Sequence, residues 1–156
     1  MNMPIHPMLV HFPIALLFVS VLFDILSRWL DRDGLREGAL WLLGLGLSSG
    51  LVGAIAGGMA EHAAEQSGVA ESLIETHEAL AYITLAVMAL LVLTRLVLRN
   101  RFTARAFALY LAVATVGLVA VSATGHTGGN LVYLHGAGVR AEQDRSAEIA
   151  RFDRAD

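Results

Sequence analysis

The chain contains no cysteine and no lysine, has only three prolines, and charges just 16% of its 156 positions. Without cysteine there is no disulfide framework, no thiolate metal site and no CxxCH attachment of haem. Any metal must be held by histidine, methionine or carboxylate. All eleven basic residues are arginine, and a net charge of −3 lacks the clustered basic face of a nucleic-acid binder. Soluble domains are roughly a quarter charged, and a fold this short has too little interior to hide a composition that is 56% hydrophobic. The sequence therefore requires lipid as its solvent.

Four apolar runs stand out, at about 8–30, 38–60, 77–98 and 106–125. Each is close to the ~20 residues that cross a hydrocarbon core. The connections are short, so consecutive spans are antiparallel neighbours and the expected fold is an all-α, four-helix, up-down membrane bundle. This places one domain over 1–139 and a polar tail over 140–156. Arg28, Arg32 and Arg36 flank the first connection and Arg95, Arg99, Arg101 and Arg105 the third, whereas the N-terminal segment and the second connection carry no basic residue. By the positive-inside rule both termini are extracytoplasmic. Trp29 and Trp41 suit an aromatic belt on the cytoplasmic face. The first run lacks a basic n-region and a small-residue cleavage site, so it reads as a retained helix.

This topology gathers all six histidines at the outer ends of the spans. His6 and His11 open the first, His62 follows the second, His77 opens the third, and His126 and His135 lie at or beyond the end of the fourth. A single histidine at headgroup depth is ordinary; six on one side point to a shared ligand, because imidazole is the commonest protein ligand for transition metals and serves haem iron as well. Pro7 and Pro13 suit a widened mouth that would turn His11 into the bundle. Ser72 and Glu75 read as a capping box that sets His77 in the first turns of the third helix. In TGHTGG, Gly128 and Gly129 are expected to break the fourth helix and aim His126 inward. The short LVYLHG segment after it would cover the site. His62 and His135 suit supporting positions rather than ligand positions.

The second span carries Gly46, Gly50, Gly53 and Gly57 at intervals of three or four, a bare helical stripe. Close helix packing is its ordinary use; room for a flat macrocycle beside Gly50, Gly53 and Gly57 is the sharper one. Asp24 is the acid deepest in a span, and Arg28 one turn later offers an i, i+4 partner. The second connection, with Glu61, Glu65, Glu71 and Glu75, reads as a solvated face that could also attract a basic partner.

HPMLVHFPIALL at the start, THEALAY in the third span and TGHTGGNLVYLHGAGV after the fourth resemble the domain-of-unknown-function 2231 family of small bacterial membrane proteins. The resemblance covers nearly all of the chain up to Val139. It implies a multi-pass protein of the bacterial inner membrane. Because this domain also occurs joined to Rieske-type or cytochrome c modules, it further implies electron transfer with such a partner at the outer face. Carried over by position, the family's histidine pattern falls on His6, His11, His77 and His126, and more loosely on His135; His62 has no match.

Three functions compete. The expected one is a b-type cytochrome-like electron-transfer protein, with non-covalent haem b between histidines of two helices. The second is a copper, zinc or non-haem iron site built from His11, His77, His126 and His6, with Glu61, Glu75 or Glu78 nearby. The third is a non-catalytic subunit of a membrane redox complex. An oligomer is compatible with each. Transport fits less well, since the spans offer no charged pathway and no pair of interrupted helices.

Overall fold

The computed structural model describes residues 9–66, 68–98 and 102–137, and these form four long helices. They are α1 (His11–Leu30), α2 (Asp33–Gln66), α3 (Glu71–Leu98) and α4 (Ala104–Tyr133). Each contains an apolar window long enough to cross a bilayer, and only 22–33% of each window is buried within the protein. Such low burial leaves Leu22, Ile55, Val97 and Val119 exposed, which is stable only where the surroundings are hydrocarbon. The chain is therefore a multi-pass membrane protein. His6 and the tail from 140 to 156 lie outside the described residues.

The helix ends follow local chemistry. α1 stops where Asp31 adopts a left-handed conformation (φ 49°) and its backbone N–H returns to the Ser27 carbonyl. Gly68, at φ 78°, occupies the short turn between α2 and α3. Thr103 caps α4 by accepting a hydrogen bond from the Ala106 N–H at 3.2 Å. The expected capping box is not formed, because α3 begins at Glu71 and Ser72 already lies inside its first turn, where its carbonyl accepts from the Thr76 hydroxyl.

α1 packs most extensively on α2, α3 on α4, α2 next on α3, and α1 only lightly on α4. This is the ring expected of an up-down bundle. Its core runs through Leu17, Val21, Leu43, Met88, Leu91, Tyr110, Ala114 and Val121. The glycine stripe of α2 serves close packing here. A Cβ at Gly46 would lie 2.9 Å from Met88 Cε and 3.3 Å from Leu16 Cβ, one at Gly50 would lie 2.8 Å from Leu85 Cδ2 and 3.5 Å from Pro13 Cβ, and one at Gly53 would lie 3.6 Å from Val10 Cγ1. Side chains of α1 and α3 thus fill the space along Gly46 and Gly50. Gly57 is half-buried one turn further out.

Towards the arginine-rich end, a buried charge joins all four helices. Asp24 of α1 is completely buried; its Oδ2 accepts a hydrogen bond from the Tyr110 hydroxyl of α4 at 2.7 Å, and its Oδ1 lies 3.2 Å from Nη1 of Arg95 of α3. Arg95 also donates to the Arg36 carbonyl of α2. The expected Asp24–Arg28 pair is therefore corrected. Asp24 faces the interior, where Arg95 and Tyr110 reach it, whereas Arg28 is exposed and lies over the Phe107 ring, 5.8 Å from its centroid.

Removing one partner of a buried pair strands the other charge, at a cost of about 3–5 kcal/mol. Asp24→Ala is expected to lose that much stability in detergent, read by thermal or denaturant unfolding. Tyr110→Phe should lose about 1.5–3 kcal/mol, the worth of a hydrogen bond to a charged group. An unchanged midpoint for Asp24→Ala would show that the contact does not hold the bundle. Gly50→Leu should cost about 1–3 kcal/mol through overpacking, while Gly44→Ala, whose Cβ meets nothing within 4 Å, should be neutral or gain up to about 1 kcal/mol.

Candidate functional site

α4 continues as helix through Thr124, Gly125, His126, Thr127, Gly128 and Gly129 to Tyr133. The expected break at Gly128 and Gly129 is corrected: the glycine-rich segment forms the last turns of α4. It remains helical because the first turns of α3 pack along it and offer polar partners. His126 consequently points away from the bundle and is exposed. The chain leaves the helix only at Leu134, with Gly136 at φ 73° and its N–H bonded to the Val132 carbonyl.

Four side chains, His77 and Thr84 of α3 and Thr124 and Thr127 of α4, hold α3 against this stretch. His77 is half-buried, and its Nδ1 lies 3.1 Å from the Thr124 carbonyl and 3.1 Å from the Thr127 hydroxyl. The Thr127 hydroxyl hydrogen is directed at the Ala123 or Thr124 carbonyl, so that oxygen accepts from His77. Both partners of Nδ1 are then acceptors, which assigns the proton of neutral His77 to Nδ1 and its lone pair to Nε2. Deeper in, the Thr84 and Thr124 hydroxyls meet at 3.1 Å. The ring of His77 rests directly on Gly128, where a Cβ would lie 2.9 Å from Cε1 and 3.4 Å from Nδ1.

The other histidines have distinct places. Asn130 donates through Nδ2 to His126 Nε2 at 3.3 Å, and its carbonyl accepts from His135 Nδ1 at 3.1 Å. His135 is half-buried and lines a small open cavity with Leu73, Thr76, Thr127, Asn130 and Leu131. His11 is exposed at the start of α1. Its depth follows from Ile14, whose Cδ1 lies 3.3 Å from the Cβ position of Gly125. Three residues further out, at about 1.5 Å per residue, His11 is level with Gly128 and hence with His77. His62 lies on α2 nine residues beyond Gly53, about 13 Å further out along the axis; its side chain lies outside the described part.

The structure thus places His11, His77 and His126 at one depth, and joins His77, His126 and His135 to neighbouring residues of α4. Among the described residues it assembles no group of three His, Cys, Asp or Glu able to hold a metal ion. Glu75 is exposed and Glu78 half-buried on α3. Thr124, Thr127 and Asn130 were missed by the sequence reading. Their signal was present as three polar residues at intervals of three along α4, of which Thr124 and Thr127 meet α3.

The family model described as a predicted membrane protein, domain of unknown function 2231, matches residues 2–141. No curated protein and no solved structure matches the chain.

Gly128→Ala is expected to push the His77 ring off the Thr124 carbonyl and to cost about 1–3 kcal/mol in thermal unfolding, as overpacking does. Gly129→Ala, whose Cβ meets nothing within 4 Å, should be neutral or stabilise by up to about 1 kcal/mol through helix propensity. Equal damage from both would indicate a turn instead of a helix.

Proposed function

The chain belongs to the domain-of-unknown-function 2231 family of predicted membrane proteins, and from that premise we propose that it is a b-type cytochrome-like electron-transfer protein. Its outer-end imidazoles hold non-covalent haem, and its arginine-rich end faces the cytoplasm. The observation that carries this reading is the Nδ1–H of His77 directed at a backbone carbonyl. Metal-bound histidines usually donate their other ring N–H in this way, which fixes the tautomer and raises the basicity of the ligating nitrogen. Haem iron needs one or two imidazoles from the protein, a demand met without the three-ligand group that copper or zinc would require. The absence of such a group among the described residues favours haem over those ions.

His77 is the first ligand in this reading, and His11 or His126, at the same depth, supplies the second; His6 lies outside the described residues. Since side chains fill the stripe at Gly46 and Gly50, the group is assigned to the outer mouth and not to the bundle interior. Haem would supply a one-electron couple. The chain's own residues orient His77 through Thr124 and Thr127, hold His126 through Asn130, and join α3 to α4 below through the Thr84–Thr124 contact. A cytochrome c or Rieske-type partner at the outer face is the matching electron donor or acceptor.

The exposure of His126 favours one second reading, a non-catalytic subunit whose polar outer face docks a redox partner. The two are separated by an absorption spectrum of the membrane-extracted protein, oxidised and then reduced with dithionite. The haem reading expects a Soret band that sharpens on reduction, its loss in His77→Ala, and a shifted midpoint potential in Thr127→Val. Protein from haem-supplemented cells with no Soret band would overturn it, and partner binding retained on replacing His11, His77 and His126 together would then favour docking.

A further inference from the structure

The arginine-rich end contains a second polar feature with no part in the outer site. A small open cavity lies there between the end of α1, the starts of α2 and α4 and the end of α3, lined by Ser27, Arg28, Arg36, Arg95, Phe102 and Phe107.

We infer that this cavity binds the phosphate of an anionic phospholipid. Three guanidinium groups surround it and two carboxylates answer them. Arg95 pairs with buried Asp24, and Arg36 pairs with exposed Asp33 at 2.6 Å. Among the described residues Arg28 has no carboxylate partner and lies over the Phe107 ring. Arg95 lies in the same way over the Phe102 ring, 5.9 Å from its centroid, and the two rings meet edge to face at 6.0 Å. An aromatic pair thus holds two guanidinium groups about one opening. This arrangement leaves one positive charge in excess at the edge of a low-dielectric medium, and arginine is the side chain suited to bidentate phosphate contacts.

Depth selects the source of the phosphate. Trp29 and Trp41, 81% and 71% exposed, lie one residue from Arg28 and five from Arg36, and exposed tryptophans mark headgroup level in a membrane protein. The cavity therefore opens where lipid phosphates are concentrated, and basic pockets between transmembrane helices receive anionic headgroups. Phosphatidylglycerol is the simplest probe of that class.

The full-length protein in neutral detergent is titrated with phosphatidylglycerol, phosphatidylcholine and inorganic phosphate, and bound lipid is read by native mass spectrometry. The wild type is expected to prefer phosphatidylglycerol, and Arg28→Gln to weaken that lipid about fivefold, as one arginine near a membrane surface is worth, with phosphatidylcholine unchanged. Arg28 is exposed and outside the Asp24–Arg95–Tyr110 contacts, so the fold is retained and circular dichroism confirms it. Arg28→Lys, which keeps the charge and loses the planar fork, is expected to fall between the two. Equal binding of both lipids, wild-type binding by Arg28→Gln, or displacement of the lipid by an equal concentration of inorganic phosphate would overturn the assignment. None of these outcomes depends on haem.

Discussion

The Asp24 carboxylate is the constraint on which the bundle depends. Helices in lipid gain nothing from hiding apolar surface, since hydrocarbon is as apolar as leucine, and their association rests on packing and polar contacts. A carboxylate at this depth is costly alone and becomes tolerable only when its partners arrive together. Here one partner comes from α3 and another from α4, while Arg95 reaches on to the backbone of α2. The register of all four helices is fixed by one residue. Small residues then set the approach distance: Gly46 and Gly50 admit Met88 and Leu85, and Gly117 admits Val87, whose Cγ1 would stand 3.0 Å from a Cβ there.

The two ends of the bundle use different chemistry. Towards the arginine-rich end the contacts are ionic and aromatic, with Arg28, Arg36 and Arg95 beside Phe102 and Phe107. At the histidine-bearing end an imidazole, three threonines and an asparagine tie α3 to α4 and tie α4 to its own final turn. Formal charge thus closes one end, and hydrogen bonds of uncharged side chains join α3 to α4 at the other.

Much of this was legible from residue order. Four hydrophobic runs of spanning length, short connections and alternating direction give the bundle and place each histidine of the described residues at one end, because hydropathy and chain direction are one-dimensional properties. The Arg95 contact was not legible. Counted as a loop arginine, Arg95 lies three residues inside the end of α3 at Leu98, and its approach to Asp24 depends on helix rotation, which periodicity leaves loose in a span that is apolar all round. Arg28 looked the better partner because sequence spacing detects neighbours within a helix and is blind to those across it. Thr103 was missed for a simpler reason: the fourth run was placed from the start of its apolar residues, and the cap precedes them.

Gly128 shows how the same residue supports opposite readings. A glycine pair after a hydrophobic run ordinarily signals the end of a helix, since glycine weakens a helix by about 1 kcal/mol relative to alanine. In α4 that cost is offset by contact with α3. The Thr124 carbonyl has two lone pairs; in a continuous helix one receives the Gly128 N–H, and the other faces the His77 ring. A side chain at position 128 would occupy the path by which the imidazole reaches that second lone pair, because its Cβ would lie within 3 Å of the ring. What the glycine provides is access to the backbone and not freedom of it. The outer site is therefore built on a rigid helix, with His77 fixed by main-chain atoms that no side-chain motion displaces.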